Sequence, residues 1–352
     1  MLKSLGHSVG LYCLNTNKHK VDTHSYEDIL LWDNFYTYDI DTNSIKTLLK
    51  AAISPKPFQI ARFYSEAVDQ ELSRIVRQNK IDLIFYQGLA MTQYQSNTEF
   101  KKLYRVHNLE YKVWISLANH TNNVVKKLMC YWMSKSLLKY ETRELSGLSC
   151  AVTICDSEEV QLKHWYSDLK IRTIPIAIES KKNLNYSSSK EGMLFIGSLD
   201  WQPNREGLNW FLKYIYPSIS HIPLTIAGKG EFQCNLKNVT IISNYESTEE
   251  LLASHRLLIV PLLSGAGIRI KILEAMKFGL PFISTTIGAE GIRHENCGLV
   301  YDYSEDWINK LGDIYEDKMT LNEISKTLKH NYQSHYSDDA IGHDWFDLMN
   351  SI

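Results

Sequence analysis

Several features are absent from the 352-residue sequence, and each absence removes a class of protein. The six cysteines form no CxxC pair and no spacing with histidine typical of a metal site, so they are expected to be reduced, mostly buried thiols of a cytoplasmic protein. No stretch approaches about 18 consecutive apolar residues, so no membrane-spanning helix is predicted. Met1–Val9 has one lysine and no long apolar stretch, so no secretory leader is expected.

An excess of positive charge is also absent. The 38 Lys+Arg residues against 40 Asp+Glu argue against a nucleic-acid-binding protein that works through bulk positive charge. No internal repeat is visible at the period of a solenoid. What is present is a hydrophobic fraction of 44%, which is enough to build packed cores and excludes global disorder.

Short apolar runs alternate with helix-length amphipathic segments along the whole chain. Most runs are rich in leucine or β-branched residues and do not alternate strictly with polar ones, which is typical of strands buried on both faces of a parallel sheet. This order predicts the doubly wound α/β class, and the length suits two domains of roughly 150 to 200 residues. The predicted strands are Val9–Leu14, Leu83–Tyr86, Leu103–Val106, Ala151–Ile154, Thr173–Ile178, Met193–Ile196, Leu224–Ala227, Val239–Ile242, Leu257–Val260, Pro281–Ser284 and Gly298–Val300, and predicted helices include Ser44–Ala52, Ser65–Gln78 and Asn204–Tyr216.

The clearest domain boundary is the polar segment SKKNLNYSSSK at residues 180–190, which lacks apolar periodicity. We therefore expect one Rossmann-like domain at 1–179, a linker at 180–190 and a second Rossmann-like domain at 191–335. A final helix at 336–352 is expected to pack back toward the first domain. Ligands in such sheets bind beyond the carboxyl ends of the strands, so the expected site is a cleft between the domains.

The most informative segment is GAGIRIKILEAMKFG, residues 265–279, which follows a predicted strand. Gly265 and Gly267 let the backbone of the turn approach a ligand closely. A helix then begins, and its unpaired N–H groups favour an anion such as phosphate. Arg269 and Lys271 add two cations where the helix dipole disfavours them unless an anion is bound. The segment therefore predicts an anion site.

Each of these residues also has an ordinary structural interpretation. Lys271 and Glu274 could form a surface ion pair worth only about 0.2–0.5 kcal/mol, and Arg269 could be solvated. Two glycines, two cations and an acid at one strand-to-helix turn favour the anion site instead. The segment is not the dinucleotide fingerprint, because Ile270 occupies the third glycine position, and no GKS or GKT follows as in a P-loop.

The same segment and the following LPFISTTIGAEGI resemble the C-terminal half of family 4 retaining glycosyltransferases (glycosyl transferases group 1) of the GT-B fold. LFIGSLDWQPNREGLNWFL at 194–212 and LTIAGKG at 224–230 resemble it as well. Weaker matches are RVHNLE at 105–110 and the succession KYETRELSG, TICDSEE and IPIAIE between 139 and 179. The resemblance covers nearly the whole chain and is most specific between 192 and 300.

This resemblance implies two Rossmann-like domains facing across a cleft. A nucleoside-diphosphate-sugar donor would bind mainly to the C-terminal domain, and a saccharide or lipid-linked acceptor mainly to the N-terminal domain. Transfer of a hexose-type sugar would retain the anomeric configuration without a bound metal or other cofactor. The implied role is the biosynthesis of polysaccharides or glycoconjugates.

The resemblance also implies roles for individual residues. Glu274 would hold the donor ribose, while the glycine turn and the nearby basic residues would hold the diphosphate. The end of a predicted strand places His107 as a group that could bond the sugar or the acceptor through a neutral imidazole, although a structural histidine is also common there. The candidate catalytic residues are His107, Arg269 and Lys271, and the candidate donor-binding residues are Gly197, Ser198, Gly228, Gly265, Gly267, Ile268, Arg269, Lys271, Glu274 and Glu290. For Gly197 and Ser198 the alternative is an ordinary turn, and for Glu290 it is a solvated loop carboxylate.

Three departures from the family pattern qualify this assignment. The first of two glutamates that the wider family has eight residues apart would fall at Ala266, so Lys271 is the expected substitute contact. Ser198 and Asn204 stand where the wider family has arginine and lysine. Met1–Val9 resembles the end of the family's first helix, which implies that the first strand and its glycine loop are missing, either because the start codon is placed too late or because the chain is a truncated relative. A catalytically impaired, glycosyltransferase-like binding protein is therefore the alternative function.

Two other segments suggest partners. Residues 122–147 form a predicted helix in which lysines alternate with apolar and aromatic residues. Such a helix could contact an anionic membrane surface peripherally, at the inner face of the membrane. The alternative is a domain helix with solvated lysines. Asp39-Ile40-Asp41 mimics a metal-binding DxD motif, but a polar loop before a helix is also an ordinary place for aspartate. No metal site is predicted.

Overall fold

The computed structural model describes residues 2–17, 20, 32–94, 100–119, 121, 123–178, 186–243, 245–265, 267–294 and 298–352. It divides into two compact units, Met1–Ile174 with Gly342–Ile352, and Pro175–Ile341. Both units contain parallel β-sheet with intervening α-helices, which confirms the predicted α/β class with two Rossmann-like units. Within the predicted linker, residues 180–185 lie outside the described residues and residues 186–190 belong to the second unit.

The first unit contains two separate parallel sheets. One pairs β1 (Gly10–Thr16) with β2 (Asn34–Ile40), and the other has the order β3 (Leu83–Gln87), β4 (Lys101–Val106), β5 (Cys150–Thr153), β6 (Lys170–Thr173). The helices are α1 (Ile45–Ala52), α2 (Phe58–Ala61), α3 (Glu66–Gln78), α4 (Glu110–Asn119), α5 (Val124–Leu145) and α6 (Asp156–Trp165). Capping side chains fix two helix starts, because Ser44 accepts a hydrogen bond from the N–H of Thr47, and Asn123 accepts one from the N–H of Lys126.

An apolar cavity of about 570 Å³ lies in the first unit. Residues of β1 and of β3 line it together with α3, which contributes the fully buried Val68. Within the described ranges, β1 pairs only with β2, and β3 pairs only with β4. The two strands that border the cavity are therefore each paired on one side.

Three expectations for the first unit are wrong. β2 was not predicted, and Asp39 lies at its end, where it accepts a hydrogen bond from Asn15, instead of in a polar loop. A strand was predicted at Thr173–Ile178, but the observed β6 runs from Lys170 to Thr173. It ends there because Pro175 has no N–H to extend the ladder. Residues 2–6 form turns and not the end of a regular helix.

The second unit has one six-stranded parallel sheet. Its strands are β7 (Met193–Ile196), β8 (Leu224–Ala227), β9 (Val239–Ile242), β10 (Leu257–Val260), β11 (Phe282–Ser284) and β12 (Leu299–Val300), in the order β12-β11-β10-β7-β8-β9. The predicted bounds of β7 to β10 agree with the structure. This order is that of a Rossmann sheet, whose topological switch point lies between β7 and β10.

Helices α7 (Gln202–Tyr214), α8 (Thr248–Ser254), α9 (Ile270–Phe278), α10 (Ser304–Ile314), α11 (Lys318–His335) and α12 (Asp338–Ser351) complete the chain. The central strands of the second unit are buried on both faces. Met193 and Phe195 of β7 belong to one apolar core, whereas Leu194 and Ile196 belong to the other. The last part of α12 packs in the first unit, where the ring of Trp345 lies 5.3 Å from that of Phe85.

Candidate functional site

The switch point of the second sheet brings two stretches of chain together. β7 and β10 are parallel neighbours, with Met193 opposite Leu257, so both strands end at the same edge of the sheet. Gly197 follows β7 directly, and the glycine turn follows β10 and leads into α9. The structure therefore assembles one site from segments that are about seventy residues apart in the sequence.

Lys271 lies at the centre of this site. Its Nζ is 4.7 Å from the centre of the Phe195 ring and 3.5 Å from Oδ1 of Asn204. A Cβ on Gly197 would come within 2.8 Å of the same Nζ, so a larger residue there would displace the ammonium group from this position. Burial, reinforced by the neighbouring Arg269 charge, lowers the pKa of Lys271 to about 7.

The surface ion pair between Lys271 and Glu274 does not form. No described carboxylate oxygen lies within 4.0 Å of Lys271 Nζ. Glu274 is partly buried on α9, where desolvation and the charge of Glu249 raise its pKa while Lys271 opposes the shift. The arrangement is therefore a desolvated cation close to one end of a helix, which favours an anionic ligand.

Arg269 immediately precedes α9 and is only 6% exposed. Its Nη1 donates a hydrogen bond of 2.8 Å to the carbonyl oxygen of Gly267, and its guanidinium lies 5.9 Å from the centre of the Trp201 ring. Burial lowers the pKa of Arg269, and the nearby charge of Glu290 opposes that shift. Arg269 is thus held by the turn itself and is not a solvated surface side chain.

The glycine turn has the backbone geometry that glycine permits. Gly265 has φ of +120°, and a Cβ there would lie 2.9 Å from Nη2 of Arg269. Ala266 lies outside the described residues. Ile268 packs its side chain against the apolar core, so only its backbone can face a ligand.

The remaining predicted donor-binding residues of this unit lie at neighbouring strand ends. Gly197 donates its N–H to the carbonyl oxygen of Ala227, and a Cβ on Gly228 would collide with the carbonyl oxygen of Gly197. Ser198 is exposed, and its carbonyl oxygen accepts a hydrogen bond of 2.8 Å from Asn204.

Trp201 was not predicted as a site residue, and Asn204 was named only as a departure at a family lysine position, not as a contact of Lys271. Asn204 is 2% exposed and lies between Ser198 and Lys271, and Trp201 lies beside Arg269 and Gly265. Both belong to the SLDWQPN segment that follows β7. Their position at the strand next to β10 is the signal that could have found them.

His107 lies in the first unit, just beyond β4. Its Nε2 is 3.1 Å from Oε1 of Gln87, and desolvation together with the Arg105 charge lowers its pKa, which favours the neutral imidazole. The described residues contain no cluster of three or more His, Cys, Asp or Glu side chains placed to hold a metal ion. Asp41 instead accepts a hydrogen bond from the backbone N–H of Asn43.

Residues 190–317 match the family model described as Glycosyl transferases group 1. A Klebsiella pneumoniae relative, described as an uncharacterized 44.6 kDa protein in the cps region, is 26% identical over 317 residues, which span 83% of this chain and 77% of the relative. No helix in the described ranges is long and apolar enough to cross a membrane.

Solved structures of glycosyltransferases share the fold. Sucrose-phosphate synthase from Thermosynechococcus elongatus superposes with a TM-score of 0.71 at 16% identity, covering 99% of this chain and 90% of that one. The Anabaena protein HepE in complex with UDP superposes with a TM-score of 0.63 at 11% identity, covering 90% of this chain and 86% of that one. With the family match over residues 190–317, these findings show that the chain has the GT-B fold and that its second unit is similar to glycosyl transferases group 1.

Proposed function

We propose that this protein transfers a hexose-type sugar from a nucleoside-diphosphate-sugar donor to a saccharide or lipid-linked acceptor, with retention of the anomeric configuration. A role in polysaccharide or glycoconjugate biosynthesis is supported by the relative in a cps region. A nucleotide donor is supported by the UDP bound to the structurally similar HepE protein. We propose further that transfer requires no bound metal and takes place in the cytoplasm.

The observation that carries the proposal is the pair of cations at the switch point, the buried Arg269 and the partly buried, desolvated Lys271. Lys271 and Arg269 stand at the start of α9, and no described carboxylate lies within ion-pair distance of Lys271. Desolvated cations and helix-start N–H groups form a site for the diphosphate of the donor. In this proposal Glu274 holds the ribose, and the backbone of Gly197 and of the glycine turn approaches the phosphates.

The proposed chemistry follows from the bond that breaks. As the bond between the anomeric carbon and the phosphate oxygen breaks, negative charge grows on the diphosphate, and Lys271 and Arg269 stabilise it more strongly in the transition state than in the ground state. The acceptor hydroxyl attacks from the same face, its oxygen bonds the anomeric carbon, and its proton passes to the departing phosphate oxygen. His107 is proposed to hydrogen-bond the sugar or the acceptor as a neutral imidazole.

The test is calorimetric titration with UDP, GDP and ADP, with the corresponding free nucleosides as controls. One nucleoside diphosphate should bind, and Lys271→Met should weaken binding and lower any transfer rate by about 10²–10³-fold, because it removes one preorganised charge. Lys326→Met is the matched control, since Lys326 is exposed on α11 and should leave binding unchanged. If none of the three diphosphates binds to the folded protein, the proposal is wrong.

The alternative function remains a glycosyltransferase-like protein without turnover, because Ala266 stands where the wider family has its first glutamate. Binding of a nucleoside diphosphate without transfer or hydrolysis of any sugar donor in a panel would favour this alternative. Turnover in the presence of EDTA would favour the metal-free enzyme.

A further inference from the structure

The first half of α5 carries a row of exposed side chains at helical spacing. Val125, Leu128 and Trp132 are 77%, 65% and 67% exposed, and Lys135 and Lys139 continue the same row. Spacings of three and four residues put all five on one face of the helix. We call this row the α5 stripe.

The opposite face of α5 holds the helix on its domain. Cys130, Ser134 and Leu137 are buried, and Ser134 donates a hydrogen bond of 3.0 Å to the carbonyl oxygen of Tyr111 on α4. Leu137 is part of the apolar core of the first unit. Because these contacts fix the rotation of the helix, it cannot turn to bury the α5 stripe in its own domain.

The charge around the stripe has one sign. Lys126, Lys127, Lys135 and Lys139 are all exposed, and no acidic residue occurs between positions 124 and 140. Apolar and aromatic side chains that share a helix face with lysines and with no acidic residue complement a surface that is apolar inside and negatively charged outside. An anionic lipid bilayer has this chemistry.

A second copy of the chain fits the stripe less well. In a parallel pairing of two α5 helices, Lys135 and Lys139 would face the same lysines of the other copy. In an antiparallel pairing they would face Val125 and Leu128. The first arrangement opposes like charges, and the second buries ammonium groups against apolar side chains, so both are unfavourable.

From this geometry we propose that the α5 stripe docks the protein on an anionic membrane surface, with Val125, Leu128 and Trp132 entering the interface and Lys135 and Lys139 contacting lipid headgroups. The inference is independent of the proposed sugar transfer, since it involves none of the donor-site residues. It predicts peripheral, salt-sensitive binding that needs both the apolar and the basic part of the stripe.

The experiment is co-sedimentation of the full chain with vesicles of equal parts phosphatidylcholine and phosphatidylglycerol, and with pure phosphatidylcholine vesicles. The wild-type protein should bind the anionic vesicles only, and high salt should release it. Lys135→Glu with Lys139→Glu should weaken binding at least about tenfold. Leu128→Ser with Trp132→Ser should weaken binding as well, because it removes the apolar part of the stripe. Both side chains are exposed, so the fold should not depend on them.

The matched control combines Met319→Ser with Lys318→Glu and Lys326→Glu on α11. Met319 is 76% exposed, so the control changes an exposed apolar residue and two lysines elsewhere, and it should bind like the wild type. Circular dichroism of each variant checks that the fold is retained. Equal binding to neutral and anionic vesicles, unchanged binding of the α5 variants, or dimerisation through α5 in place of vesicle binding would each overturn the proposal.

Discussion

At the scale of single residues, the environment of Lys271 decides what the site can do. The ammonium group is packed against the Phe195 ring and beside Asn204, and burial brings its pKa to about 7. A lysine in this state loses its proton close to neutral pH unless an anion binds. Binding of a diphosphate and protonation of Lys271 should therefore be coupled.

The coupling predicts that the affinity for the diphosphate decreases as pH rises. Because the charged form of Lys271 binds the diphosphate, the contribution of Lys271 to the affinity should be full below about pH 6 and should fall as pH rises through the pKa. Lys271→Arg keeps its charge throughout this range, so its affinity should change far less. Titration calorimetry of both proteins at several pH values measures the difference, and parallel pH profiles would contradict this role for Lys271.

The same scale shows what the sequence could reveal about the site. Gly265, Gly267, Arg269 and Lys271 lie within seven residues, so their spacing alone predicts an anion site. Asn204 reaches Lys271 only because β7 and β10 are neighbours in the sheet. That adjacency is a property of the topology, which the local pattern of either segment does not contain.

At the scale of elements, burial decided how well the strands could be predicted. β7 and β10 are buried along their whole length, so their apolar runs begin and end with the strand. β2 is half exposed and mixes polar with aromatic residues, so it has no apolar run to detect. β6 ends at Thr173, although the apolar segment continues to Ile178. Hydrogen bonding, and not hydrophobicity, sets the end of this strand.

Helix α7 packs so closely on the end of β10 that one of its residues must be glycine. A Cβ on Gly207 would collide with the carbonyl oxygen of Pro261, whereas a Cβ on Gly312 in α10 meets nothing within 4 Å. Gly207→Ala should therefore lower the free energy of unfolding by more than about 2 kcal/mol, although alanine favours helix by about 1 kcal/mol.

Gly312→Ala is the matched control, and it should raise the free energy of unfolding by about 0.5–1 kcal/mol. Urea unfolding of the two variants gives both values. Equal effects of the two substitutions would show that the contact between α7 and Pro261 is not tight in solution.

At the scale of the whole molecule, the two units differ in the continuity of their sheets. The second has six strands in one sheet, while the first has its strands split between β1-β2 and β3-β6. Strands with few packed neighbours open more readily than strands buried on both faces. The amides of β1 and β2 should therefore exchange with deuterium faster than those of β7, β8 and β10.

Hydrogen exchange followed by mass spectrometry of peptides measures this difference directly. Comparable protection of β1 and β7 would mean that the split sheet is as stable as the continuous one. Addition of a nucleoside diphosphate should slow exchange in the second unit, around the start of α9, and leave β1 and β2 unchanged.

The cavity between β1 and β3 has a consequence for how the protein behaves when concentrated. Within the part of the chain that the structure describes, β1 and β3 each have one edge without a paired strand, and such edges beside an apolar cavity can pair with an extended segment of another molecule. A neighbouring molecule that inserts such a segment would extend the hydrogen-bonded sheet of β1 or β3 and fill the cavity at the same time. We therefore expect self-association through the edges of β1 and β3 to limit the stability of concentrated solutions. This effect should matter more than the net charge of the protein.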